Sequence, residues 1–222
     1  MLNHKNECVK IGQINIRSWY SNKDYTECFL AKEDMDVMFI CETWERINNP
    51  LRARGYRFFS KSRPDGYGGV AILLKKNILI AEVDELNFDF LEFIALKTRN
   101  LEKNLLLVSV YAAPVKTSEE RSMSKNDLNK LIDWANDKTD LIMCGDLNAH
   151  ANLWGGRHNC ATGAQLVNLI QDTNLVVLND GGSTYMGSMR GEASAIDLTF
   201  TSIALASQDT WMIMILNERM IL

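Results

Sequence analysis

The stretch Leu141-Ile142-Met143-Cys144-Gly145-Asp146-Leu147-Asn148-Ala149-His150 reads as a short apolar strand that stops at a glycine and delivers an acid and an amide, two residues apart, at its mouth. A buried strand has no structural need for that pair at its carboxyl end, whereas metal-assisted phosphodiester hydrolysis does. The carboxylate can align or deprotonate a water, and the amide can hold the same water or a phosphate oxygen. Taken alone, Gly-Asp-x-Asn is also ordinary turn chemistry, since Asp and Asn close turns through their own side chains.

Four further segments repeat the arrangement. Val9–Ile16 alternates apolar and polar residues and presents Asn15 near its end. Val37–Cys41 is a compact apolar run that stops at Glu42, followed by Thr43 and Trp44. Leu105–Val110 ends on Tyr111, and Ser194–Phe200 places Asp197 at the head of another strand. Polar groups at the ends of several strands are expected to converge on one cleft, where α/β scaffolds build their chemistry.

In that order, these residues resemble the endonuclease/exonuclease/phosphatase superfamily, which includes DNase I and the abasic-site endonucleases, from about Val9 to the C-terminus. A narrower likeness lies in Gly145-Asp146-Leu147-Asn148-Ala149-His150-Ala151-Asn152-Leu153-Trp154-Gly155, followed by Gly163 and Leu166. This segment is similar to the endonuclease domain of insect-type non-LTR retrotransposons. Cys41-Glu42-Thr43-Trp44 and Gly68-Gly69-Val70-Ala71-Ile72 fit the same branch.

The resemblance implies an α/β fold of two mixed β-sheets packed face to face with helices outside, a DNase I-like sandwich. It implies hydrolysis of one DNA strand, dependent on Mg²⁺ or Mn²⁺, exposing a 3′-hydroxyl that primes reverse transcription. DNA is then the partner, the intact element carries a reverse transcriptase domain, and the protein is intracellular and acts in the nucleus. Matched residue by residue, the resemblance makes Glu42 the principal metal ligand with Asn15 beside it. Tyr111 would contact the scissile phosphate, Asp146 activate the attacking water and Asn148 orient it. Thr184 looks like the phosphate-side hydroxyl, with a plain strand-start hydroxyl as the alternative, and Asp197 matches the acid that holds a catalytic histidine.

The chain departs from that pattern at its close. Family members end with Ser-Asp-His, the Asp assisting at the metal and the His acting on the phosphate, whereas the stretch that aligns best here begins Leu216-Asn217-Glu218. Impaired activity is the expectation that follows. The competing readings are a catalytically dead remnant that binds nucleic acid, and a phosphatase of the same superfamily acting on small substrates.

At 222 residues the chain is long enough for one substantial core and too short for two ordinary domains. The expectation is a single domain over residues 1–222, with its core from 9 to 222, forming part of a larger retrotransposon polyprotein. An apolar fraction of 46% and a charged fraction of 23% suit a soluble globular chain. No segment is long and apolar enough to span a membrane. The five cysteines are scattered without a Cys-x-x-Cys pair, and Cys41 and Cys144 fall in apolar runs as small core residues.

A net charge of −4 does not favour phosphate attraction, so the distribution of charge matters more than the total. Between Arg46 and Lys76 there are eight basic residues against one acid, Asp65. The run starts four residues after Glu42, so Arg52, Arg54 and Arg57 are expected to contact the DNA backbone. His150 is expected to pack its loop or touch DNA, because with His158 it lacks a third ligand at zinc spacing. Trp154 and Tyr185 are suited either to DNA grooves or to the core, and the core is the commoner place for aromatics in a chain of this size.

The elements that must position these groups are legible as hydrophobic periods. Helices are predicted over 21–33, with Ser21 or Asn22 as N-cap, over 118–136 and over 163–172. Strands are predicted near 56–59, 68–74, 78–83, 93–98, 176–178 and 211–216, and Arg63-Pro64-Asp65-Gly66 is a turn by its own chemistry. Strands interleaved with helices, with hairpin-like pairs in the middle, fit a mixed α/β sandwich.

Overall fold

The apolar run Val37–Cys41 is buried along its whole length because both of its faces are covered. Val37 and Phe39 pack with Ile72, Leu107 and Ile142 between two sheets. Met38 and Ile40 turn the other way, to Trp19, Leu30 and Ala71 beneath a helix. Leu141–Asp146 is divided in the same manner: Ile142 and Cys144 face the first sheet, and Leu141 and Met143 face Leu128, Leu131 and Leu166 on two helices. Continuous apolar strands are therefore the inner strands of a four-layer sandwich, helix, sheet, sheet, helices.

The computed structural model describes residues 9–46, 48–84, 86–101, 103–186, 193–206 and 213–215. In chain order these form β1 (Ile11–Asn15), α1 (Trp19–Glu33), β2 (Val37–Cys41), β3 (Tyr56–Lys61), β4 (Val70–Lys75), β5 (Ile80–Asp84) and β6 (Leu91–Thr98). They continue with β7 (Leu106–Ala112), α2 (Ser118–Asn136), β8 (Leu141–Asp146), a 3₁₀ turn at Asn152–Trp154, α3 (Ala161–Ile170), β9 (Leu175–Val177) and β10 (Tyr185–Met186). The last elements are β11 (Ala193–Ser194), β12 (Asp197–Ser202), α4 (Ile203–Ala206) and β13 (Ile213–Ile215). One sheet has the order β13-β1-β2-β4-β3 and the other β5-β6-β7-β8-β12-β9, with β10 and β11 as a separate hairpin. Both sheets mix parallel and antiparallel pairs, as expected for this sandwich.

The α2 boundaries match the period because local chemistry enforces them. Thr117 accepts from the Glu120 amide at 3.1 Å and the Glu120 carboxylate accepts from the Thr117 amide at 3.0 Å, a capping box. The N-cap predicted for α1 is corrected. The helix starts at Trp19 with Ser18 before it, because the Trp19 indole is buried edge-on against Phe58 at 4.7 Å. The Asn22 amide is spent on the Ile16 carbonyl at 2.8 Å. α3 begins two residues earlier than predicted because the Cys160 sulfur accepts from the Gly163 amide and acts as its cap. The Arg63–Gly66 turn closes as predicted, with the Gly66 amide donating to the Arg63 carbonyl at 3.1 Å. Among the described residues no helix is long and apolar enough to cross a membrane.

Candidate active site

Strand register aligns one row of polar side chains across the second sheet. Glu92 pairs with Tyr111, Tyr111 with Asp146, and Asp146 with Asp197. Residues directly opposite one another share a face of the sheet, so the four groups lie side by side. From the first sheet, Asn15 is in register with Cys41, one residue before Glu42. The ends of β1, β2, β7 and β8 thus meet, as the sequence leads one to expect.

Asn15 ties the two sheets together. Its Nδ2 donates to Glu42 Oε1 at 2.7 Å and to Asp146 Oδ2 at 2.9 Å. Both partners are acceptors, so the amide must present its NH₂ to them. Its Oδ1 is left buried with no partner. Unpaired buried carbonyl oxygens are uncommon in native proteins and call for a reason. Tyr111 donates its hydroxyl to the same Glu42 oxygen at 3.4 Å. Burial first, then the Glu42 charge, raises the phenol far above its ordinary value, so Tyr111 remains a neutral donor.

Asp146 is 3% exposed. Its Oδ1 accepts from the Asn148 amide at 2.9 Å, and Asn148 Nδ2 donates to the Ala112 carbonyl at 2.8 Å. Burial above all, and then the Asp197 carboxylate alongside, raises the Asp146 pKa well above the carboxylate range. A proton or a cation is the natural partner of such a group. Asp197 Oδ1 accepts from Gln13 Nε2 at 3.4 Å. Thr184 uses its hydroxyl to accept from the Ile196 and Asp197 amides, both at 3.1 Å, so it shapes the head of β12 and presents Asp197.

The backbone around these groups is strained. Among the described residues six that are not glycine have positive φ, and five of them, Arg17, Ser18, Glu42, Trp44 and Asn148, follow the ends of β1, β2 and β8. Such conformations persist only where the surroundings enforce them, and they concentrate at functional sites.

The segment after Asp146 is a buttress. Trp154 is fully buried, and its Nε1 donates to the Ala149 carbonyl at 2.8 Å, one residue beyond Asn148. Gly155, at φ 94°, lets this turn lie on the Gly181 backbone, where a Cβ would collide with the Gly181 carbonyl. Gly163 lets α3 approach the His150 carbonyl in the same way. His150 stacks on His158, with ring centroids 5.1 Å apart. Its pKa is lowered by burial and by the neighbouring imidazole.

The basic run divides between the two ends of the first sheet. Lys61 pairs with Val70 and Val70 with Cys41, so Lys61 lies toward Glu42. Arg57 pairs with Leu74 and Leu74 with Val37, at the far end of β2. Five residues of strand separate Val37 from Glu42, about 17 Å. The Arg57 guanidinium donates to the Ile78 carbonyl, and Arg54 lies beside Glu27 of α1, whose Oε1 accepts its amide at 2.9 Å. Arg54 and Arg57 therefore do not join the cluster. Proximity to Glu42 along the chain is undone by the connection between β2 and β3, which runs back to the Val37 end of β2 before β3 begins.

Three participants escape the sequence reading. Gln13 is fully buried in the middle of β1, where a polar residue in an apolar strand was the available signal. Cys41, apart from filling the core, accepts from the Asp146 amide and donates to the Val110 carbonyl, both at 3.4 Å. Glu92 completes the row, and burial pushes its carboxyl up to about 7. Leu216, Asn217 and Glu218 lie outside the described residues; β13 runs parallel to β1 as far as Ile215, opposite Gln13. Tyr185 lies on β10.

The endonuclease-reverse transcriptase family model matches residues 105–217. The RNA-directed DNA polymerase from mobile element jockey of Drosophila melanogaster is 25% identical over 182 residues, 80% of this chain and 19% of that protein. The probable RNA-directed DNA polymerase from transposon X-element of the same organism is 24% identical over 179 residues, 79% of this chain and 19% of that protein. The chain spans about a fifth of the length of these relatives. Among solved structures, the endonuclease domain of TRAS1, a telomere-specific non-LTR retrotransposon, superposes with a TM-score of 0.69 at 22% identity, covering 88% of this chain and 85% of that one. The 3′-5′ exonuclease NExo from Neisseria meningitidis gives 0.68 at 17% identity, covering 90% and 89%. These matches bear out the resemblance read from the strand-end residues and from the Asn-Ala-His and Leu-Trp-Gly segment.

Proposed function

Because this chain belongs to the endonuclease-reverse transcriptase family, we propose that it is a metal-dependent phosphodiester hydrolase of DNA that nicks target DNA to prime reverse transcription. It would act in the nucleus, joined to a reverse transcriptase domain in the intact element. The observation that carries this reading is the Asn15 amide, which bridges Glu42 and Asp146 and leaves its own Oδ1 buried and unpaired.

That oxygen and the Glu42 carboxylate fit a hard divalent cation. Among the described residues no three His, Cys, Asp or Glu side chains converge into a cage, so the remaining ligands would come from water and the phosphate. Mg²⁺ is commonly bound in this way, through one or two protein oxygens, and Mn²⁺ accepts the same donors. When bound, the cation would supply charge to the phosphodiester as it is attacked. Asp146, held by Asn15 and by the Asn148 amide, would take a proton from water. Asn148 would orient that water, and Tyr111 would donate its hydroxyl to a phosphate oxygen.

Calorimetric titration with Mn²⁺ is expected to show one site in the native chain and binding at least about tenfold weaker in Glu42→Ala. Equal affinity in the two proteins would remove Glu42 from the metal. Plasmid nicking measured beside inositol-phosphate release separates the nuclease from a small-substrate phosphatase.

DNA affinity should fall with salt through phosphate contacts near the cleft. Arg46, which follows the Glu42 loop, and Lys61, at the Glu42 end of β3, are exposed and suited to such contacts. Replacing both by Ala should flatten the logarithmic salt slope by up to about two units, one per phosphate lost. The Arg52, Arg54 and Arg57 triple variant should change the slope little; a loss of about three units there instead would place DNA over the opposite end of the sheet.

A further inference from the structure

Glu92 has no part in the chemistry above, yet its placement is costly. It lies on β6 between buried Leu91 and Phe93, with its side chain only 11% exposed. Burying a carboxylate is unfavourable unless it is paired and hydrogen-bonded, and a strand needs no acid there. Its oxygens are committed in one direction. Oε2 accepts the Gly69 amide, and Oε1 faces Arg63 Nη1 at 3.4 Å. Arg63 is itself braced by Asp65 at 2.7 Å.

The contact continues beyond the glycines. Gly68 and Gly69 have φ of 72° and 90°. A Cβ on Gly68 would lie 2.5 Å from Glu92 Oε1, and one on Gly69 would strike the Thr43 hydroxyl. The Gly69 carbonyl accepts from the Thr43 amide at 3.2 Å and the Gly68 carbonyl from the Trp44 amide at 2.9 Å. Thr43 and Trp44 directly follow Glu42, and both Glu42 and Trp44 are left-handed, at φ 55° and 51°. Residues other than glycine hold that conformation only when neighbouring bonds enforce it. A chain of contacts therefore runs from the Glu92 carboxylate through two glycines to the loop that carries Glu42.

The geometry points to Glu92 as a positioning residue: it clamps Gly68 and Gly69, which hold Thr43 and Trp44, so that Glu42 keeps its left-handed conformation beside Asn15. This inference rests on the reading of Glu42 as a metal ligand only for its consequence, since the clamp itself is a property of the backbone. Losing a hydrogen bond to a charged group shifts a local equilibrium by about tenfold or more.

The test is amide hydrogen exchange on the full chain, comparing the native protein with Glu92→Gln and Glu92→Leu. In Glu92→Leu the Gly69, Thr43 and Trp44 amides should exchange about tenfold faster or more, while those of α2 keep their protection. Glu92→Gln retains an oxygen for Gly69 without the charge, so its effect should be smaller, and it carries the test if the leucine variant does not fold. Mn²⁺ affinity should fall in the same order. Faster exchange confined to Gly69 would overturn the proposal, as would uniform acceleration reaching α2, which would make Glu92 a support of the whole fold. Absence of Mn²⁺ binding by the native chain would sink the metal reading, while the exchange of Thr43 and Trp44 would still decide the role of Glu92.

Discussion

Changing Leu216→Ser, Asn217→Asp and Glu218→His together should raise Mg²⁺-dependent nicking of supercoiled plasmid by about 10²–10⁴-fold over the chain as it stands. The reason is the electrostatics of the cleft. Glu42, Asp146, Asp197 and Glu92 bring four carboxyl groups to one region, and a phosphodiester brings another negative charge. Burial and the Asp197 carboxylate already raise the Asp146 pKa, so a base at that position needs positive charge nearby to ionise. In the superfamily that this chain resembles, a closing Asp supports the metal and a closing His serves the phosphate. Asn217 lacks the carboxylate charge, and Glu218 adds a negative charge where the pattern has an imidazole. Losing one positioned acid/base group costs roughly 10²–10⁴ in rate. In the restored chain Asp146→Ala should abolish the recovered activity. Brisk nicking by the unmodified chain, itself lost on Asp146→Ala, would show that another group already performs the histidine's task.

Gly145→Ala should lower the thermal midpoint by about 10 °C, a loss of about 3 kcal/mol in a domain of this size. Gly145 pairs with Val110 in the parallel register of β7 and β8. A Cβ there would collide with the Val110 carbonyl oxygen and lie 2.7 Å from its carbon. Both strands are inner strands covered on both faces, so neither backbone can retreat. The same closeness lets the Cys41 sulfur bond both the Val110 carbonyl and the Asp146 amide. The glycine of Gly-Asp-x-Asn thus has a steric cause, and its replacement should be felt in stability before chemistry. Differential scanning calorimetry within about 2 °C of the native midpoint would show that the strands can separate after all.

Much of the site is legible in one dimension. Glu42, Tyr111 and Asp146 each close an apolar run, Asn15 stands near the end of an alternating one, and a polar group that ends a buried strand can only sit at the strand's mouth. The capping box at Thr117 and the turn at Arg63–Gly66 are equally local, which is why those boundaries match. The α1 N-cap failed for the opposite reason. Ser21 and Asn22 have the right chemistry, but burial of Trp19 against Phe58, far along the chain, starts the helix earlier.

The sequence by itself determined the strands, the mixed α/β class and the polar groups at the strand ends, because a polar side chain stands out where a buried strand stops, while the two-sheet arrangement followed from the family resemblance. Only the tertiary structure decided which of those groups meet. Asn15 reaches Asp146 across 131 positions of chain, and Glu92, an acid that closes no apolar run, enters the row because β6 pairs with β7 in one particular register. The connection between β2 and β3, by running back before β3 starts, carries Arg54 and Arg57 away from Glu42. Register is set by how two faces of every inner strand are filled at once, a condition on the whole packed core that no local stretch of residues contains.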